Sequence, residues 1–263
     1  MKILKNFFVS SSVMMASVFA QDITKAEDIT YDWLVKYGDE SGATDYIPHI
    51  RRIFKKYQPK ILMEFGLGYA TKYFLDHCDK VISFEFVTGG YGPEGMSKFL
   101  NLYRGYSNWI PIAYFTGYRG DYSFAPYKYV GTDALFLASS FQCTTKLHYT
   151  EVNDFYLKEF DSLLTNMFKA HTIEMALINP GGMYVRGDIV ELLFGTVPII
   201  LAHDTNFRAP QDLDDIYGYS RIGTPDDYEE IFFPGGQGTT AWVKKEERFE
   251  ELIRDLKKYA KGL

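Results

Sequence analysis

The chain has 263 residues, enough for one substantial core, and its 46% hydrophobic and 24% charged content is that of an ordinary folded protein rather than a disordered or fibrous one. The formal net charge is −6 and no basic stretch is interleaved with aromatics, which argues against nucleic acid as a partner. Two cysteines, Cys78 and Cys143, are too few for a disulfide framework, although an oxidising compartment would let them pair; a lone buried thiol is the commoner case.

Met1 to Asn6 is a short basic start. Phe7 to Ala20 is apolar and rich in small residues, with Val18-Phe19-Ala20 before Gln21. This is the pattern of a secretory signal cut after Ala20, so residues 1–20 are expected to direct export. An uncleaved N-terminal anchor is the alternative, though the run is short for a membrane span. No later segment has the length and apolarity to cross a bilayer, and cleavage, by removing Lys2 and Lys5, makes the mature chain more acidic.

Gln21 to about Gly42 is polar and reads as a loosely attached arm or a short helix. Asp45 to Tyr57 has apolar residues at 46, 47, 50, 53, 54 and 57, which is helical spacing, and Pro59 ends it. The strand Ile61–Phe65, a helix from Ala70 to His77 and the strand Val81–Phe86 follow. Thr88 to Gly95 is a glycine-rich loop, Met96 to about Tyr103 a helix, and Trp109–Phe115 a third strand. From Gly117 to about Thr150 the pattern is weak, with Leu135–Ala138 readable as strand or helix. Glu151 to Ala170 has a strong helical period. Ile173–Ile178 is a strand, Arg186–Leu193 a helix, Val197–Ala202 a strand, and Asp212–Tyr217 has helical character. Tyr228–Phe233 and Thr239–Val243 flank Pro234-Gly-Gly-Gln-Gly238 as a hairpin. Lys245 to Tyr259 is an amphipathic helix. Alternating strands and helices predict a single α/β domain over residues 21–263. It has a mostly parallel, Rossmann-like sheet covered on both faces and an antiparallel C-terminal hairpin.

The chemistry concentrates in Glu64-Phe-Gly66-Leu-Gly68-Tyr-Ala-Thr71 and in Glu85. Gly66 and Gly68 let a backbone turn tightly and approach a ligand, and the helix after them aims free N–H groups at it. Glu85 lies about twenty positions further on, where a carboxylate meets ribose hydroxyls. A glycine turn joining any strand to any helix is the plain alternative. Glu64 sharpens the signal, because a carboxylate inside an apolar strand is costly unless it finds donors.

Here the chain resembles the class I S-adenosylmethionine-dependent methyltransferases. The first motif and Glu85 carry the likeness, together with Ala176 to Asp188 and Ile199 to Asp204, which look like the fourth- and fifth-strand segments of the small-molecule O-methyltransferase branch. The resemblance spans roughly Tyr46 to Val243. It implies a seven-strand sheet in which Ile61–Phe65, Val81–Phe86 and Val197–Ala202 are neighbouring parallel strands. It also implies S-adenosylmethionine as cofactor, with Glu64, Gly66, Gly68 and Glu85 binding it. Methyl transfer to a small-molecule hydroxyl or carboxyl follows from the branch. His203, whose unperturbed titration lies near neutrality, is a candidate base, with a plain hydrogen bond at the strand end as the preferred alternative, and Asp204 is expected to orient the acceptor.

That branch generally ends its fourth strand in Asp, where this chain has Asn179, and its metal-dependent members follow the fifth strand with Asp-Asn, where this chain has Asp204-Thr205-Asn206. Neutral Asn179 is a poor ligand for a hard cation, so no metal is expected. Asp121 is a candidate for the adenine amino group or an ordinary loop aspartate. Cys143 and His148 are too isolated for nucleophilic or zinc chemistry. The signal segment also sits uneasily with a cofactor made in the cytosol. The other class of function is therefore an exported, non-catalytic binding protein that keeps the fold, recognisable by Tyr69 or Tyr91 filling the adenosine space. A dinucleotide-dependent oxidoreductase is disfavoured by Glu64 and the hairpin.

Overall fold

A computed structural model describes residues 23–87, 92–118, 135–143, 163–180, 186–208 and 217–262. The expected signal segment, Tyr91, Asp121, His148, the first part of the 151–170 helix and residues 212–216 lie outside the described residues.

In chain order the elements are α1 (Tyr31–Ser41), α2 (Ile47–Lys56), β1 (Ile61–Phe65), α3 (Thr71–His77), β2 (Lys80–Val87), α4 (Gly92–Tyr103), β3 (Trp109–Tyr118) and β4 (Leu135–Cys143). A helix over residues 163–170, α5, is followed by β5 (Met175–Ile178), α6 (Arg186–Leu193), β6 (Ile199–His203), β7 (Tyr228–Phe233), β8 (Thr239–Lys244) and α7 (Glu250–Ala260). The strands form one sheet in the order β4-β3-β2-β1-β5-β6-β8-β7. All pairs from β4 to β6 are parallel, and β8 is antiparallel to both β6 and β7. The expected seven strands run from β3 to β7 across this sheet, and Leu135–Cys143 adds a further parallel strand at the β3 edge. β1 and β2 are neighbours as expected, whereas β5 lies between β1 and β6.

Side chains alternate along the strands and build two cores. Leu62, Val81, Leu177 and Leu201 point to the face covered by α1, α2, α3, α4 and α7. Met63, Phe65, Ile82, Phe84, Ile178 and Ile200 point to the face covered by α5 and α6. Sandwiching of this kind explains why the parallel strands read as continuous apolar runs.

The described part of the 21–42 segment, residues 23–42, is more firmly held than its polarity indicates. The Thr30 hydroxyl caps α1 by accepting from the Trp33 amide at 3.2 Å. Leu34 and Tyr37 are buried, and Trp33 and Tyr37 both pack against Tyr69, at ring distances of 5.0 and 5.4 Å. α2 is tied to α7 by Arg52 on Asp255, at 2.7 Å, and by Lys56 on Glu251, at 2.5 Å. Cys78 is a free, buried thiol, pushed up to about 12 by burial. Among the described residues no helix is long and apolar enough to cross a membrane.

Candidate active site

β1 ends in a turn whose geometry follows from two different constraints. Gly66 has φ +104°, and a Cβ there would lie 2.2 Å from the carbonyl oxygen of Asn179 and 2.9 Å from Cα of Pro180. Its amide donates to the Phe84 carbonyl at 2.8 Å, and the Asn179 amide donates to the Phe65 carbonyl at the same distance. Gly66 is thus required by the close approach of β5's end to β1's end. Gly68 differs, since a Cβ there would meet nothing within 4 Å. Among the described residues the space in front of it is open.

Glu85, half-buried at the end of β2, accepts from the Leu67 amide at 2.6 Å, so the carboxylate is fixed beside the turn. Glu64 is 1% exposed and points to the helix-covered face below the turn. It accepts from the Ser83 hydroxyl at 2.5 Å and from Thr71. Burial pushes both carboxyls up to about 8, with the Glu85 charge adding to the shift at Glu64. The Tyr69 ring does not occupy the space before Gly68: it packs against Trp33, Tyr37 and, at 5.2 Å, Phe99, and its hydroxyl accepts from Lys98 at 2.7 Å.

The raised carboxyls give a stability profile with a definite sign. An unfolded glutamate loses its proton near 4.5, and these two hold theirs to about 8, so the folded state binds more protons in between and stability falls as pH rises. His49 opposes this below about 6.5, because burial pulls it down to about 4 and its contribution grows with pH. Between about 6.5 and 8 the carboxyls act without that offset. Glu64→Gln, which keeps an acceptor without the charge, is expected to flatten the fall in urea stability over this window by roughly half. An unchanged slope would show that Glu64 does not bind the extra proton.

The second half of the site is a buried polar cluster at the ends of β5 and β6. His203 is 2% exposed, with Nε2 2.5 Å from Asp45 Oδ1, and Nδ1 3.1 Å from Asn179 Oδ1 and 3.3 Å from Asp204 Oδ1. Asp204 has φ +61°, the one positive value for a non-glycine among the described residues, and such backbone strain persists only where the surroundings impose it. Arg186, 3% exposed, holds the Asp204 side chain in this conformation. Its guanidinium donates to Asp204 Oδ2 at 2.6 Å, to the His203 carbonyl at 3.3 Å and to the Pro180 carbonyl at 3.0 Å, and lies 3.9 Å from the centre of the Tyr217 ring. Two part-buried carboxylates therefore meet one buried guanidinium and one buried imidazole.

Asp45 reaches this cluster from the segment before α2. Its other oxygen accepts from the Gln237 amide at 2.7 Å, inside the Pro234–Gly238 turn. Gly236 has φ +59°, and a Cβ there would overlap Asp45 Oδ2 at 1.9 Å, so the turn's glycine makes room for the carboxylate. The same turn accepts the amides of Thr205 and Asn206 through Gly238 and Gln237, both at 3.1 Å.

The site thus brings Glu64, Gly66, Gly68 and Glu85 together at β1 and β2, and Asn179, His203 and Asp204 at β5 and β6, joined where Gly66 meets Asn179. As a base His203 is badly placed, since both ring nitrogens face oxygens and the ring is buried. Asp45 and Arg186 do not stand out in the sequence. Asp45 is 158 positions from His203, and nothing local marks either residue. Among the described residues no group of three His, Cys, Asp or Glu is arranged to hold a metal ion.

No family model matches the chain, and no curated protein does. Among solved structures the chain is similar to the Podospora anserina methyltransferase PaMTH1 with SAH bound, at 12% identity and TM-score 0.46 over 94% of this chain and 100% of that one. It is also similar to the O-methyltransferase TomG from Streptomyces achromogenes in complex with SAM, at 11% identity and TM-score 0.45 over 89% and 96%. A methyltransferase from Geobacter sulfurreducens gives 9% identity and TM-score 0.42 over 81% and 87%. At such scores nothing further rests on these likenesses. The chain's own strand order, parallel from β4 to β6 and closed by antiparallel β8 and β7, gives it the Rossmann-like methyltransferase fold.

Proposed function

We propose that the protein binds S-adenosylmethionine against the Gly66–Gly68 turn, with Glu85 on the ribose, and transfers its methyl group to a small-molecule acceptor. The observation that carries this reading is the pairing of a fixed carboxylate with free space at the turn: Glu85 is held by the Leu67 amide, and among the described residues nothing beyond its chain neighbours would lie within 4 Å of a Cβ at Gly68. Methyl transfer from a sulfonium is an in-line displacement that neutralises the leaving group. The protein mainly has to align nucleophile, methyl carbon and sulfur, an effect worth roughly 7–11 kcal/mol in favourable cases. The buried cluster supports His203 and Asp204 as residues that shape the acceptor edge rather than as groups that take a proton. A carboxylate acceptor needs no base and suits this arrangement better than a hydroxyl does. Export through residues 1–20 belongs to the same proposal.

The two glycines separate ligand binding from folding. Gly68→Ala is expected to melt within a few degrees of the unmodified protein, since its methyl meets no protein atom, yet to weaken S-adenosylhomocysteine at least about tenfold by calorimetry, because the methyl enters ligand space. Unchanged affinity would move the cofactor away from the turn. Failure of the unmodified protein to bind at millimolar ligand would remove the cofactor reading altogether.

The second reading, an exported binding protein that keeps the fold without catalysis, draws on the engagement of both His203 nitrogens and both Asp204 oxygens. The packing of Tyr69 against Trp33, Tyr37 and Phe99 supports the first reading, while Tyr91, the other residue that would fill the adenosine space, lies outside the described residues.

A further inference from the structure

Beneath the glycine turn a chain of four hydrogen bonds runs through the helix-covered core. The Trp109 indole donates to the Ser83 hydroxyl at 2.8 Å, and Ser83 donates to Glu64 Oε1 at 2.5 Å. From the other side the Gly68 amide donates to the Thr71 hydroxyl at 3.2 Å, and Thr71 in turn bonds the Glu64 carboxylate. Thr71 and Ser83 are fully buried, Glu64 is 1% exposed and Trp109 8%. Each hydroxyl gives its one proton toward Glu64 and receives an N–H, so the polarity of the chain is consistent throughout. Tyr103 fixes the other side of the turn by donating to the Gly68 carbonyl at 2.9 Å.

A carboxyl group costs stability in such a place even when it keeps its proton, and an apolar core of the same volume would be more stable. Glu64 is also almost wholly buried and is bonded by both Ser83 and Thr71. We infer that Glu64 is a positioning residue: through Thr71 it sets the Gly68 amide, and through Ser83 and Trp109 it anchors the glycine turn to β2 and β3, so that the turn's shape is fixed before any ligand arrives. Glu64 then serves the cofactor without touching it. This rests on the proposed cofactor site for its purpose, but the positioning itself is a property of the unliganded protein.

The relay makes Thr71 its testable joint, because Val replaces the hydroxyl with a methyl of the same shape, and Ser restores the hydroxyl. In unliganded protein, folded as judged by circular dichroism, Thr71→Val is expected to speed hydrogen exchange at the Gly68 amide by about tenfold, the effect of one lost hydrogen bond, whereas Thr71→Ser leaves it within about threefold. In a Trp33→Phe, Trp242→Phe background the emission of Trp109 should shift in Ser83→Ala. S-adenosylhomocysteine affinity should fall about tenfold in Thr71→Val and recover in Thr71→Ser. Exchange at Gly68 that does not respond to Thr71→Val overturns the relay, whatever the ligand does. Faster exchange with undiminished affinity overturns its purpose. If the unmodified protein binds no S-adenosylhomocysteine, the cofactor reading fails by itself, and Gly68 exchange in Glu64→Leu, expected to speed as in Thr71→Val, still decides whether Glu64 sets the turn, an unchanged rate overturning it.

Discussion

Gly66→Ala is expected to leave little folded protein. The added methyl would sit 2.2 Å from the Asn179 carbonyl oxygen and 2.6 Å from its carbon, and both are backbone atoms held by strand pairing between β1 and β5. No rotamer change relieves the overlap, and φ +104° is a conformation that side-chain-bearing residues rarely adopt. Strain and clash together put the cost at about 4–5 kcal/mol or more, against a total stability on the order of 5–15 kcal/mol for a typical domain. The check is soluble yield and a urea melt beside Gly68→Ala. Two glycines two positions apart should differ by the whole transition, and a Gly66→Ala protein melting within a few degrees of the unmodified chain would refute the account of the turn.

Arg186→Met should cost about 3–5 kcal/mol, the usual consequence of leaving one member of a buried ion pair without the other. Asp204 would keep the His203 ring but lose its 2.6 Å guanidinium contact, and the Pro180 carbonyl would lose the donor that Arg186 gives it. Arg186→Lys should rescue little, because the three N–H groups of an ammonium radiate from one compact nitrogen and do not span the planar fork that reaches Asp204, His203 and Pro180. Combining Arg186→Met with Asp204→Asn should cost less than the sum of the two, since each removes the reason for the other. Additive losses by chemical denaturation would show that the pair is energetically independent, and a loss under about 1 kcal/mol for Arg186→Met would show that it does not hold the strained backbone.

Local pattern is a good guide wherever a segment's burial is decided by its own periodicity. Ile61–Phe65, Arg186–Leu193 and Tyr228–Phe233 have the bounds their apolar spacing predicts. It fails where a polar segment is held by partners far along the chain. The 21–42 stretch reads as detachable because most of its side chains are polar, yet two aromatic residues of α1 lock it onto Tyr69. The site divides in the same way. The glycine turn and Glu85 are legible because they are close in sequence and their spacing is set by one strand and one helix. His203 is visible only as a titratable residue near a strand end. Its true neighbours, Asp45 and Arg186, come from other elements, and their contribution is electrostatic and long-range in sequence. Gly66 is a subtler case. It reads as a ligand-facing glycine, and the structure gives it a packing reason that would hold with no ligand at all.

The position of β8 has a consequence for biosynthesis. β6 is covered on one edge by β5, and its other edge is covered only by residues 239–244. Until those residues leave the ribosome, a fully buried apolar strand, Ile199–His203, presents an open row of peptide groups, a template for pairing with another chain. α7, which bonds to α2 through Arg52 and Lys56, emerges later still. A nascent chain therefore cannot close its core from the N-terminus onward. The sheet cannot be completed at β6 until residues 239–244 have been made, so its closure trails synthesis instead of keeping pace with it.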